Sequence, residues 1–153
     1  MPEIERKFRV HDPPSDLRGG THLRQAYLAV DGDVEVRVRD RGGTFLLGVK
    51  GGRGLERAEV EVEIGAADFE ELWALAAGRR IDKTRYPVPA GGHTAEVDVY
   101  AGPLAGLVVA EVEFPSREEA DAFTPPAWCG DELTGDPAWS NASLATHGPP
   151  GDE

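Results

Sequence analysis

Apolar and polar side chains alternate one by one through most of this chain, and that rhythm restricts most of it to β-strands. The alternation covers residues 2–10, 22–30, 34–40, 44–50, 56–64, 80–88, 94–100 and 107–114. The connections are short and rich in turn formers. Asp31-Gly32, Arg41-Gly42-Gly43 and the "GGRG" of 51–54 are examples. Eight strands so joined predict a mainly-β (α+β) fold, an antiparallel sheet closed or nearly closed into a barrel. Two stretches have a different period. "AADFEELWALAAG" places Phe69, Leu72, Trp73 and Leu75 or Ala76 near helical spacing, with Gly78 as its stop. "SREEADAF" opens with a capping box, Ser116 and Glu119. Residues 124–147 are mixed in pattern and predict only short helical turns, and 148–153 reads as a disordered tail. The expectation is one domain over 1–147, within a chain of 153 residues that can bury a core.

Composition removes several classes. A formal net charge of −12 argues against a nucleic-acid partner, whose phosphates would be repelled. The single cysteine, Cys129, permits no intrachain disulfide, and four scattered His argue against a Cys/His zinc site. There is no apolar run of transmembrane length and no signal-peptide core. The expectation is a soluble cytoplasmic protein with no membrane partner.

The polar face of each strand is charged. Strand one carries Glu3, Glu5, Lys7 and Arg9; strand three Glu35, Arg37 and Arg39; strand four Lys50. Strand five carries Arg57, Glu59, Glu61 and Glu63; strand six Lys83 and Arg85; strand seven Glu96 and Asp98; strand eight Glu111 and Glu113. For a single strand, a solvated outer face is the commoner explanation. Three features argue against it here. Nearly every strand repeats the pattern. The signs segregate, with bases on strands three, four and six and acids on five, seven and eight. And a helix such as 66–77 needs an apolar sheet face to cover, which leaves the charged face to look inward. Buried charges need partners or ions. A basic wall suits a polyanion, with Arg matching phosphate oxygens through its planar fork. An acidic wall suits hard divalent cations such as Mg2+. A metal–polyphosphate satisfies both, the template of two-metal phosphoryl chemistry.

These residues resemble a known family. "EIERKF" is similar to the E-x-E-x-K signature of the CYTH superfamily, the triphosphate tunnel metalloenzymes. "LRQAYL" (23–28), "EVRVR" (35–39), "RAEVE" (57–61), "GRRIDKTRY" (78–86), "AEVDVYAG" (95–102) and "AEVEF" (110–114) resemble further family motifs in the same order. "FTPPAWCGDELTGDPAWSNASLA" resembles the C-terminal segment of the short bacterial members. The resemblance implies an eight-stranded antiparallel tunnel that hydrolyses or rearranges triphosphates with Mg2+ or Mn2+, two ions per site. By position it implies phosphate-binding roles for Lys7, Arg37, Arg39, Lys50, Lys83 and Arg85. It implies metal ligation by Glu3, Glu5, Glu61, Asp98, Glu111 and Glu113, with Glu59 assisting. Tyr27 and Lys50 match a catalytic Tyr–Lys pair. An amine beside a phenol favours the phenolate, a general base or water-orienting group. Lys83 is an alternative general acid toward the leaving phosphate.

The chain departs from the family at Gly48, where Thr is common, and at Trp139, where Tyr is usual. No Lys or Arg follows Arg117, so no C-terminal Lys or Arg can plug the tunnel. The tunnel is expected either to be open and cup-like or to be closed by uncharged groups such as Trp139 and Asn141. Trp73, Trp128 and Trp139 read first as packing residues, Cys129 as inert, Arg6, Arg9 and Arg57 as surface or rim. His11, His22, His93 and His147 receive no role. A bare triphosphate needs no base-recognition pocket, so hydrolysis of inorganic triphosphate to pyrophosphate and phosphate is the first expectation. Thiamine triphosphatase, nucleoside triphosphatase and class IV-type adenylate cyclase activities are the enzymatic alternatives. A non-catalytic polyphosphate or nucleotide sensor is the alternative of another class.

Overall fold

Eight antiparallel strands close into a barrel in the order β1-β5-β4-β3-β2-β6-β7-β8. They are β1 (Glu3–Arg9), β2 (Thr21–Asp31), β3 (Val34–Arg41), β4 (Thr44–Gly51), β5 (Glu56–Glu63), β6 (Arg80–Ala90), β7 (His93–Tyr100) and β8 (Val108–Glu113). The structure is a computed structural model that describes residues 3–52 and 56–151. The side chains of Glu3 and Glu56, and the parts of the strand-four connection and the C-terminal tail at 53–55 and 152–153, lie outside the described residues. Two hairpins turn through paired glycines. Gly42 and Gly43 have φ of 56° and 97°, Gly91 and Gly92 of 52° and 84°. Both central positions of such a two-residue turn need positive φ, which glycine adopts without a Cβ clash.

The apolar faces point outward and are covered by helices and loops, except on β3–β5, where Val34, Val49, Val60 and Val62 stay exposed. Helix α1 (Ala66–Leu75) lays Phe69, Leu72, Trp73 and the following Ala76 over Ala26, Val38, Phe45 and Leu47 of β2–β4. Ala76 rather than the exposed Leu75 completes the packing face. Burying Phe69 fully is worth about 1.5–3 kcal/mol. Helix α2 (Arg117–Ala122) starts at Ser116, whose Oγ accepts from the Glu119 N–H as the capping box predicts. Its Ala120, with Phe123 beyond it, covers Phe8, Ala95 and Val112. Arg6, also outward, holds this corner: it is bidentate to Glu132 and donates to the carbonyls of Ala120 and Phe123.

Barrel closure has a seam. Among the described residues, the β1–β5 register consists of Glu3↔Arg57 and Ile4↔Glu56. Further along β1, the same edge is taken by the C-terminal segment. Lys7 N–H donates to Thr134 Oγ1, Leu133 N–H to Lys7 O, Arg9 N–H to Asp131 O and Gly130 N–H to Arg9 O. The segment continues through a 3-10 turn at Pro137–Trp139 into helix α3 (Asn141–His147), capped by Ser140. Gly148, which the sequence reading placed in the tail, is the C-cap of α3 with φ of 75° and donates to Leu144 O. The turn and α3 pack against Tyr27, Ile81, Tyr100, Leu104 and Val109, so they close one end of the barrel.

The seam yields a stability prediction. A Cβ on Gly130 would stand 2.5 Å from Arg9 O. Gly130→Ala should therefore lower stability by about 1–3 kcal/mol through overpacking. Urea unfolding checks this: the midpoint should fall at constant slope, and an unchanged midpoint contradicts the seam.

Candidate active site

The register places the charged faces in the lumen. Cross-strand partners share a face, so Glu5↔Glu113 and Lys7↔Glu111 line it from β1 and β8. Tyr27↔Arg37 and Gln25↔Arg39 do so from β2 and β3, Lys50↔Glu59 and Gly48↔Glu61 from β4 and β5. Lys83↔Tyr100 and Arg85↔Asp98 complete the wall from β6 and β7. A bulge follows Tyr27, so Arg24 keeps the opposite face, where it stacks on Phe69 and Trp73 beneath α1.

The most enclosed element is an ion cluster. Lys83 and Asp98 are both 0 % exposed, and Nζ donates to Oδ2 at 2.7 Å. Arg85 donates from Nε to Asp98 Oδ1 at 2.8 Å and from Nη2 to Oδ2 at 2.9 Å. Burial pushes the Lys83 amine down to about 8, with Arg85 adding to the effect against the pull of Asp98. Burial also opposes the Asp98 charge, but Lys83 and Arg85 outweigh it and hold the carboxyl below its ordinary value.

Glu111 is the convergence point. Burial alone would raise it, yet it is held well below the carboxylate range by Lys7, Arg85, Lys83 and Lys50. Four of the six expected phosphate-binding bases, from β1, β4 and β6, thus act on one carboxylate of β8. The other two, Arg37 and Arg39, stand side by side on β3. Burial, together with the like charges of Arg37 and Arg85, lowers Arg39 to about 10. Burial opposes the Arg37 charge, but its ion pair with Glu59 outweighs burial and holds it raised. The Nε of both arginines is buried without a hydrogen-bond partner. Such a donor costs about 1–3 kcal/mol unless a ligand satisfies it. Crowded, mutually repelling guanidiniums with unused donors present a site for a highly charged anion.

Tyr27 differs from its expected role. It is fully buried, and desolvation raises the phenol above its ordinary value against the opposing Arg37. The phenolate expected from a Tyr27–Lys50 pair is therefore disfavoured. Tyr27 keeps its proton, and its oxygen accepts from Gln25 Nε2 at 2.8 Å. Sequence reasoning passed over Gln25, which carries no charge; its place two residues from Tyr27 on the same face was the available signal.

The carboxylates expected to bind metal are dispersed. Both Asp98 oxygens accept from Lys83 and Arg85. Glu61 pairs with Arg41 at 3.2 Å, and its Oε2 is buried without a hydrogen-bond partner. Glu111 is enclosed, Glu5 is half-buried, Glu113 is at the exposed rim, and the side chain of Glu3 lies outside the described residues. Among the described residues no three His, Cys, Asp or Glu side chains form a metal-holding group. The donors nonetheless fit a hard divalent cation in kind, being carboxylate oxygens, one of them, Glu61 Oε2, without a hydrogen-bond partner. They suit an ion that keeps waters and takes its remaining ligands from phosphate.

One end of the lumen is closed by uncharged groups, one of the two expected outcomes. Lys7 Nζ donates to Trp139 O at 2.7 Å, and Tyr100 Oη donates to Asn141 Oδ1 at 2.5 Å. Arg9 lies over the Trp139 ring at 5.1 Å. Beside this plug is a cavity of about 440 Å3 lined by Glu5, Lys7, Glu35, Arg57 and Ser143 among others.

Comparison with known proteins agrees with this geometry. The chain is 43% identical over 148 residues to the inorganic triphosphatase of Nitrosomonas europaea, covering 95% of this chain and 97% of that protein. It is 40% identical over 145 residues to the inorganic triphosphatase of Acetivibrio thermocellus, covering 93% and 92%. A crystal structure of an inorganic triphosphatase superimposes with a TM-score of 0.72 at 40% identity, covering 97% of each chain. No family model matches the chain.

The buried cluster generates a prediction. Asp98→Asn would leave Lys83 without its counter-charge at 0 % exposure. Breaking such a pair from one side should cost about 3–5 kcal/mol. Chemical denaturation measures it, and a loss below about 1 kcal/mol, the scale of an exposed pair, would contradict the buried pairing.

Proposed function

This chain belongs to the inorganic triphosphatase family, and from that premise we propose that it hydrolyses inorganic triphosphate to pyrophosphate and phosphate inside the barrel lumen. The finer assignment is the CYTH superfamily of triphosphate tunnel enzymes, supported by the ordered motifs and the closed eight-stranded barrel. The observation that carries the reading is the pair of buried arginines with unused Nε donors, facing a lumen that also holds Lys7, Lys50, Lys83 and Arg85. Triphosphate supplies the negative charge and the many acceptor oxygens this wall lacks.

Within this reading Arg37, Arg39, Lys7, Lys50 and Arg85 hold the phosphate oxygens in place, and positioning with charge stabilisation carries most of the rate. Lys83, its amine pushed down to about 8, is set to give a proton to the leaving phosphate oxygen. Tyr27 serves as a hydrogen-bond donor. Mg2+ or Mn2+, two ions per site, would be held by Glu3, Glu5, Glu61, Glu111 and Glu113, with Asp98 released from its bases when it joins them. Such ions supply Lewis-acid polarisation of phosphate and activation of water. The single cysteine and the soluble character of the sequence support action in the cytoplasm. No helix among the described residues is long and apolar enough to cross a membrane.

A substrate panel tests the proposal. Phosphate release from tripolyphosphate, ATP and thiamine triphosphate is followed with Mg2+ or Mn2+ and after chelation. Tripolyphosphate should give the highest kcat/KM, and chelation should abolish turnover. ATP as the better substrate, or conversion of ATP to cyclic AMP at the higher rate, would overturn it. In the same assay Glu111→Gln should lower kcat by about 100-fold or more, as expected for loss of one preorganised electrostatic group.

A further inference from the structure

Among the buried groups of the lumen, Gln25 stands apart. It is 0 % exposed, lies on the lumen face of β2 opposite Arg39, and carries no charge. Its Nε2 donates to Tyr27 Oη at 2.8 Å, which fixes the amide plane. Its Oε1 is buried with no hydrogen-bond partner. The nearby unpartnered groups on β3, Arg37 Nε and Arg39 Nε, are donors, as phosphate binding requires. An amide oxygen among them is the wrong polarity for a phosphate oxyanion, which it repels. It needs an O–H or N–H donor. Hydrolysis brings one such donor to the site with every turnover, the attacking water.

Resting on the hydrolytic reading above, we infer that Gln25 orients that water: Oε1 accepts one of its hydrogens while Nε2, anchored on Tyr27, holds the amide in place. The step balances without another reactant. The water oxygen forms a bond to the terminal phosphorus as the bridging P–O bond breaks. The electron pair of the broken bond leaves on pyrophosphate, and the hydrogens of the water are shared between the two products. Orientation by an uncharged amide acts on kcat and leaves substrate binding to the arginines.

The test uses the full chain with tripolyphosphate and the divalent ion that supports turnover. Gln25→Met keeps the length of the side chain and removes both polar atoms. Gln25→Glu keeps an acceptor at the same place. Gln25→Met should lose kcat by about 100-fold with KM within about threefold, and Gln25→Glu should recover at least about tenfold of that loss. Gln25→Met within about threefold of the unaltered kcat, or a change confined to KM, overturns the inference, as does Gln25→Glu no faster than Gln25→Met. Should Gln25→Met fail to fold by its melting curve, Gln25→Glu decides alone: kcat within about tenfold of the unaltered chain supports the inference, and a larger loss overturns it. An inactive unaltered chain overturns the hydrolytic reading itself, an outcome distinct from an active chain indifferent to Gln25.

Discussion

Lys83 and Asp98 sit 2.7 Å apart with neither exposed to solvent, and the rest of the structure is arranged around the cost of keeping them there. Two charges taken out of water recover that cost only with close geometry and further hydrogen bonds. Arg85 supplies those hydrogen bonds, and the barrel supplies the enclosure. A sheet folded with its charges inward must put its apolar faces outside, so it needs α1, α2 and the loops as covers. The same inversion concentrates Lys7, Lys50, Lys83 and Arg85 on Glu111 and leaves Arg37 and Arg39 with unused donors. Enclosure, covering helices and anion-binding chemistry are therefore consequences of one choice of face.

That choice was legible because strand parity is a local property. Once residues 34–40 are extended, Arg37 and Arg39 must share a face, and the register confirms that they share it with Gln25 and Tyr27. Helix α1 was legible for the same reason, since Phe69, Leu72 and Trp73 need one apolar partner surface. Parity gives a face and not a distance, so it did not reveal that both oxygens of Asp98 would be taken by Lys83 and Arg85. Nor did it reveal the state of Tyr27. The proximity of bases suggested a phenolate, but complete burial outweighs them, and burial is set by the whole fold.

The C-terminal segment was the least readable part. Residues 124–147 have no sustained period, because they follow no sheet or long helix. Their conformation is fixed by what they dock against: the edge of β1 at Lys7 and Arg9, and the apolar end of the lumen at Tyr27, Tyr100 and Val109. What the sequence did carry was a negative fact, the absence of any Lys or Arg after Arg117. The structure answers it with uncharged groups. The carbonyl of Trp139 takes Lys7, and the amide oxygen of Asn141 takes Tyr100. Gln25 was silent for a related reason: a neutral side chain contributes nothing to a reading built on charge.

The account stands on the claim that the inward-facing bases form a binding site for a triphosphate anion before any chemistry occurs. The direct measurement is the melting temperature of the chain titrated with tripolyphosphate in the absence of divalent ions. A ligand that binds only the folded state stabilises it by about 2.7 kcal/mol at one hundred times its dissociation constant. The melting temperature should therefore climb with the logarithm of tripolyphosphate concentration. The climb should largely disappear when Arg37 and Arg39 are both changed to Gln. A melting temperature indifferent to tripolyphosphate, or one that rises equally without the two arginines, would contradict the account.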